Sequence, residues 1–379
     1  MRRSFKYKVA RMSPSTLRNA ERQLELLRQL YNAALQERRD AWAKSRVTVT
    51  YAGQTAQITE IRRADPEYRA LDCQATHAAL RYLDRAFKAF FERAQRGEAP
   101  GYPRFKGKGR YDSTTYRQTG WTLEGRRLTL AGIGTLRLFL SRPVEGKVKS
   151  VTLKRDRCGD WWVTFCCDGV EPRPLPATGA AAGLDLGLAS FLATSDGDTV
   201  ENPRFAQHAA ARLACANRRM RKAKLGGARF RARVRTLARV HRYVRSARRD
   251  FHFKTARDLV RRYDFLAVEA LNFRGLSRGM LRKSVYDAGW CQFLEILRGK
   301  AESAGRVVVA VNPGGTSQMC SGCGYAPAKR KTLKVRVHQC EECGLRLDRD
   351  VNAARNILAL AKRGGERPAA SCPASKAAA

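Results

Sequence analysis

Two Cys-x-x-Cys pairs, Cys320-Ser-Gly-Cys323 and Cys340-Glu-Glu-Cys343, constrain this chain more tightly than any other stretch. Gly324 and Gly344 follow the second cysteine of each pair, where a tight turn needs a permissive backbone. Four thiolates at this spacing make a closed tetrahedral site of the structural zinc type, with no coordination position left open for a substrate. The zinc is therefore expected to staple a small ribbon rather than to catalyse. An iron–sulfur cluster or a redox pair is the competing use of such cysteines. The total of eleven cysteines is odd, which suits metal binding in a reducing compartment better than a disulfide framework. The remaining cysteines, adjacent Cys166 and Cys167 included, read as small core hydrophobes.

Charge narrows the function. Among 379 residues, 74 are Lys or Arg against 34 Asp or Glu, a formal net charge of +40. Such an excess repels itself unless a polyanion neutralises it, and nucleic acid is the usual one. The excess is concentrated between Arg218 and Arg262, where Asp250 and Asp258 are almost the only acids. Like charges along a helix face are mutually destabilising, and a bound phosphate backbone removes that penalty. No apolar run has the length of a membrane span. The basic start, Met1 to Lys8, lacks the apolar core of a signal peptide. The expected setting is a cytoplasm.

Hydrophobic periodicity divides the chain. Residues 2–10 read as a strand. Ser13-Pro14 is a helix start, a capping hydroxyl followed by a proline at the first helical position. Leu17, Ala20, Leu24, Leu27, Tyr31 and Ala34 then recur at helical spacing, and a second helix is predicted from Cys73 to Ala94. After Arg104 the period changes to two, through Leu128/Leu130, Leu136/Leu138/Leu140, Val151/Leu153 and Trp161/Val163/Phe165. Short strands punctuated by glycines suggest a sheet or small barrel. Pro172, Pro174 and Pro176 mark a linker. Residues 181–200 read as a hairpin leading to a third strand, 206–262 as helical, Phe265–Val268 and Arg306–Val311 as buried strands, and 287–304 and 350–361 as helices. The small, polar end of the chain, 364–379, has a disordered composition.

Three carboxylates sit on or beside these buried elements. Asp185 alternates with Leu184 and Leu186, so it faces away from them. Glu269 ends the apolar run Phe265-Leu-Ala-Val268, a common position for functional groups in sheet-and-helix folds. Asp348 and Asp350 flank Arg349 at the start of the last helix, with Asp348 placed for the cap and Asp350 in the first turn. Each has a structural alternative: a turn aspartate, a strand-end charge in solvent, a helix cap. Together they supply the hard oxygen ligands that a pair of Mg²⁺ ions takes in phosphodiester hydrolysis. Spacing alone does not bring them together.

Five segments carry a resemblance: Gly183-Leu-Asp-Leu-Gly187, Phe265-Leu-Ala-Val-Glu-Ala-Leu-Asn272, Ser284-Val-Tyr-Asp-Ala-Gly-Trp290, Thr316-Ser-Gln-Met-Cys-Ser-Gly-Cys-Gly324 and Asp348-Arg-Asp-Val-Asn-Ala-Ala-Arg-Asn-Ile357. In order and spacing, residues 180–360 resemble the transposon-encoded TnpB (OrfB) family and its relatives, the type V CRISPR effectors. The resemblance implies an α/β plus β architecture: a RuvC-type nuclease domain of RNase H-like fold, with a four-cysteine zinc ribbon inserted before the third motif. It implies that Asp185, Glu269 and Asp350 converge as catalytic metal ligands for two Mg²⁺ ions. The third assignment rests on the Asp before x-Asn-Ala-Ala. Asn352 and Asn356, one helical turn apart, either support Asp350 or lie on the helix surface. Arg349 either approaches a phosphate or pairs with Asp348. Two departures stand out: Ala270 replaces the usual Asp or Asn after the second motif, and Gly314-Gly315 precede Thr316 where a bulky residue is common.

The first half resembles the family less closely, through Pro103-Arg-Phe-Lys106 and the strands after it. The implied domains are a β-barrel wedge at 1–10 and 98–175, a helical recognition module at 11–97, the nuclease at 176–312 and 346–363, and the ribbon at 313–345. The implied partners are a guide RNA and double-stranded target DNA beside a short flanking motif. The implied activity is Mg-dependent, RNA-guided DNA cleavage for a mobile element. A guided DNA-binding regulator that does not cut, and a strand-transferring transposase, are the alternatives. Oligomeric state is open.

Overall fold

In the computed structural model, residues 1–276, 279–328, 331 and 335–364 are described. The chain divides into two units, Met1–Val170 and a second beginning at Glu171. The composition-based reading of the tail falls on 365–379, outside the described residues.

The first unit opens with β1 (Arg3–Met12), whose alternating burial places Phe5 and Tyr7 inside. Ser13 then caps α1 (Pro14–Ser45), its hydroxyl accepting from the Thr16 N–H at 3.1 Å. Three short helices follow where the sequence shows no clear periodicity: α2 (Tyr51–Ala56), α3 (Ile58–Ala64) and α4 (Pro66–Arg69). Asp72 caps α5 (Cys73–Gln95), which packs on α1 through Leu27, Leu35, Leu80 and Leu83.

Six further strands join β1: β2 (Ser113–Tyr116), β3 (Trp121–Glu124), β4 (Arg127–Leu130), β5 (Gly134–Phe139), β6 (Lys147–Arg155) and β7 (Trp161–Asp168). They form one antiparallel sheet in the order β2-β6-β7-β1-β5-β4-β3. The sheet curls into a nearly closed barrel. Trp121, on the β3 edge, meets Phe165 of β7 across the interior with ring centroids 6.3 Å apart. The Tyr116 hydroxyl, on the β2 edge, donates to the Ala131 carbonyl at 2.8 Å. Strand alternation corrects one expectation: Cys167 is fully buried in the barrel, but its neighbour Cys166 points outward, because successive side chains face opposite sides.

The second unit holds β8 (Ala181–Leu186), β9 (Ser190–Thr194), β10 (Thr199–Glu201), α6 (Phe205–His208), α7 (Ala210–Arg221), α8 (Ala228–Arg262), β11 (Phe265–Glu269), α9 (Phe273–Leu276), α10 (Arg282–Ala288), α11 (Trp290–Ala304), β12 (Val307–Val311), β13 (Val337–Gln339), β14 (Arg346–Asp348) and α12 (Arg349–Lys362). Its main sheet has the order β10-β9-β8-β11-β12, with β8, β11 and β12 parallel and the β8-β9-β10 end antiparallel. This is the RNase H-like arrangement.

One face of the sheet, through Leu184, Leu186, Leu266 and Val268, packs on α8 and α11. On the other face, Ala267, Val309 and Val311 pack on Ile357 and Ala361 of α12. The single helix expected over 287–304 is broken at Gly289. Its φ of 65° ends α10, and a Cβ there would stand 2.9 Å from Arg248 Cδ. Just before the break, Asp287 accepts from the Ala206 and Gln207 N–H groups and from Arg248, tying α10 to α6 and α8. The buried residues of α8 all lie from Val244 onward, so its first sixteen or so residues present their arginines to solvent. No helix among the described residues is long and apolar enough to cross a membrane.

Candidate functional site

The register of the parallel strands carries two of the three acids to one place. Ala181 to Leu184 of β8 pair in step with Phe265 to Val268 of β11. The next residues are Asp185 and Glu269, on neighbouring strands and on the same face. Adjacent strands are about 4.8 Å apart, so the two carboxylates emerge side by side at the C-terminal ends of parallel strands.

That face is the one covered by α12. Gly183, two residues before Asp185, lets the helix touch the strand: a Cβ there would sit 1.9 Å from the Ala354 carbonyl oxygen. At the other end of the contact, a Cβ at Gly187 would lie 3.8 Å from Asp350 Oδ2. Helix and strand run antiparallel, so the first turn of α12 stands at the Asp185 end. Asp348 is the cap, accepting from the Asp350 N–H at 2.8 Å and the Val351 N–H at 3.2 Å. Asp350 occupies the first turn, where the helix dipole favours negative charge.

The electrostatics follow from this crowding. Burial pushes the Asp185 carboxyl up to about 7, Glu269 and Asp350 add to the rise, and Arg349 opposes it. Burial also raises Glu269, against a hydrogen bond from the Thr316 hydroxyl. Asp350 is raised by burial and by Asp348, with Arg336 and Arg349 opposing; Arg336 Nη1 lies 3.9 Å from its carboxylate. Carboxylates that resist ionisation because they are buried and face like charges are a common mark of functional sites.

The four cysteines are drawn together more tightly. Their sulfurs all lie within 4.8 Å of one another, the only such set of potential ligands among the described residues. Cys320 and Cys343 are 3.6 Å apart and Cys323 and Cys340 3.5 Å apart. Tetrahedral zinc at about 2.3 Å from each sulfur requires edges of about 3.8 Å, so the donor set fits the ion. The Gly322 N–H points at Cys320 Sγ, 3.3 Å away, as a turn around a metal-bound thiolate would have it. The oxygens of Asp185, Glu269 and Asp350 do not form such a set.

Some assignments change. Asn352 and Asn356 are buried, at 0% and 6% exposure, and neither lies on the helix surface. Both amides donate to the Met319 carbonyl, and Asn356 also donates to that of Thr316. They fasten the first zinc knuckle to α12. Arg349 is buried and donates to the Val335 carbonyl at 3.4 Å. Thr316, whose hydroxyl donates to Glu269, was not singled out by its residue type. A basic cleft of about 510 Å³ in the first unit was also missed, lined by Arg2, His77, Arg81, Arg117 and Lys149. Its residues come from the stretch before β1, α5, β6, β7 and the loop after β2, and no local pattern joins them.

Comparison with known proteins bears on the family and the fold. A family model described as a probable transposase, of the OrfB type, matches residues 164–280, and one described as a Cas12f1-like TNB domain matches 290–357. A protein of Streptomyces pristinaespiralis, provisionally named an RNA-guided DNA endonuclease, is 36% identical over 95% of this chain and 89% of its own length. A similarly named protein of Escherichia coli (strain K12) is 29% identical over 87% of this chain and 85% of its own. The solved structure of the mini-RNA-guided endonuclease CRISPR-Cas phi3 shares the fold, with a TM-score of 0.51 at 9% identity, covering 98% of this chain and 94% of that one. The chain belongs to the TnpB/OrfB family of RNA-guided nucleases from mobile elements.

Proposed function

We propose that this protein is a Mg-dependent, RNA-guided DNA endonuclease in which Asp185, Glu269 and Asp350 are the catalytic acids. The observation that carries the reading is the meeting of β8, β11 and the first turn of α12, with burial and mutual repulsion raising the Asp185 carboxyl to about 7. Two Mg²⁺ ions, when bound, would polarise the phosphate and supply a water nucleophile at neutral pH. The three carboxylates would hold them, Arg336 would offset the charge of Asp350, and Thr316 would orient Glu269. The four-cysteine ribbon takes one structural zinc and no part in the chemistry.

The basic half of α8 and the cleft beside Arg81 and Lys149 offer phosphate-binding surfaces. We assign them to guide RNA and to target DNA next to a short flanking motif. Base pairing would read the target, while the protein reads duplex shape and the motif. The domain limits implied by the sequence, with the wedge and recognition parts before residue 175 and the nuclease after it, belong to this reading. So does a working place in a prokaryotic cytoplasm or nucleoid.

The test is to purify the protein with its RNA, sequence that RNA, and challenge a plasmid library with randomised flanks in Mg²⁺. Cleavage next to one motif is expected. Asp185→Ala, Glu269→Ala and Asp350→Ala should each reduce it by about 10³-fold or more, the loss of several kcal/mol of metal-borne stabilisation. Guided binding without cutting by the unmodified protein would make it a regulator. Joined DNA ends would make it a transposase.

A further inference from the structure

A carboxylate at the end of a strand has rotatable bonds to spare, and something must hold it if it is to meet an ion in one orientation. At Glu269 that partner is Thr316. This threonine is 2% exposed, and its hydroxyl donates to Glu269 Oε1 while also reaching the Pro313 carbonyl at 3.3 Å. Thr316 is in turn fixed from behind. Its carbonyl accepts from Asn356 Nδ2 at 2.8 Å, and the same nitrogen donates to the Met319 carbonyl at 2.9 Å. Asn352, one turn earlier, donates to Met319 at 2.7 Å and accepts from the Ser321 N–H at 2.9 Å. The stretch from Thr316 to Ser321 is thus bolted to α12 by two buried side-chain amides. Such a network is rigid. The helix is the one that carries Asp350, two residues before Asn352, and the stretch ends in the first zinc knuckle at Cys320.

We infer that Thr316 is a positioning residue: held by Asn356, it sets the Glu269 carboxylate relative to Asp350 and links the acidic site to the first turn of the zinc ribbon. The inference rests on the reading of Glu269 as a metal ligand. In this role Thr316 would touch neither substrate nor ion. Its hydroxyl acts through the carboxylate, as outer partners of metal ligands do, and removing such a partner costs about 10- to 100-fold in metal affinity or activity.

The experiment compares Thr316→Val, which keeps the shape and deletes the hydroxyl, with Thr316→Ser, which keeps the hydroxyl. Glu269→Ala is the benchmark, and all are purified with their RNA. Mn²⁺ binding is read by electron paramagnetic resonance, alongside zinc content, melting temperature and DNA cleavage. Thr316→Val should weaken Mn²⁺ binding and cleavage about 10- to 100-fold, with one zinc retained, and Thr316→Ser should restore most of both. The proposal is overturned if Thr316→Val binds Mn²⁺ and cuts like the unmodified protein while Glu269→Ala does not. It is equally overturned if Thr316→Val loses zinc and Thr316→Ser restores nothing, which would make the residue a packing element of the knuckle. If Glu269→Ala leaves ion binding and cleavage intact, the carboxylate reading fails first and the positioning role goes with it.

Discussion

The four thiols of the ribbon come from one short stretch, Cys320 to Cys343, and lie within 4.8 Å of one another. The three carboxylates come from β8, β11 and α12, separated by long helical insertions, and are placed by strand register and by one helix–strand contact. The first cluster needs only local turns. The second needs the whole second unit to be folded. A cluster built locally depends on its ion, because little else in a small ribbon can replace four bonds to metal. A cluster built by tertiary packing depends on the scaffold, and its charges are a burden that the scaffold carries.

Breaking the local cluster should have the largest effect. Cys343→Ser should remove the single zinc, whose binding contributes on the order of 10 kcal/mol in small zinc modules. Metal analysis and limited proteolysis would show an opened ribbon between β12 and α12, with the barrel of the first unit resistant as before. A zinc-free variant with an intact ribbon would put both clusters in the scaffold-dependent class.

A smaller effect is expected from one methyl group under the carboxylates. Gly183→Ala introduces a Cβ that collides with the Ala354 carbonyl, so α12 must move away from β8. Overpacking of this kind costs about 1–3 kcal/mol. The melting temperature should fall, and cleavage should fall further than the stability loss explains, because Asp350 moves with the helix. Zinc content should not change. Unaltered cleavage would show that the site tolerates a displaced helix.

The third effect is a pH slope, spread over several pH units at no more than about 1.4 kcal/mol for each. In magnesium-free buffer with zinc retained, Asp185 has a folded value near 7 against about 3.9 when unfolded. Between those values the folded protein binds more protons than the unfolded chain. Stability should therefore decline as pH rises from about 4 to about 7, and Asp185→Asn should flatten the decline. Urea melts at several pH values would reveal it. A slope unchanged by the substitution would mean that Asp185 is neither as buried nor as crowded by acids as its packing implies.

Sequence alone determined what short-range chemistry determines. The cysteine spacing specifies a four-thiolate site, Ser13 and Asp348 cap helices as their positions require, and the excess of arginine demands a polyanion. Apolar alternation shows Asp185 turned away from its leucine neighbours, which the packing of Gly183 and Leu184 on opposite faces of β8 bears out. These features are legible because a turn, a cap or a strand face involves residues within a few positions of each other. Only the tertiary structure decided that β8 and β11 lie in register, that Gly183 admits α12, and that Asn352, Asn356 and Thr316 tie a zinc knuckle to Glu269. Hydrogen bonds between residues tens of positions apart leave no periodic trace along the chain. A buried asparagine and a surface one look alike until the elements around them are packed.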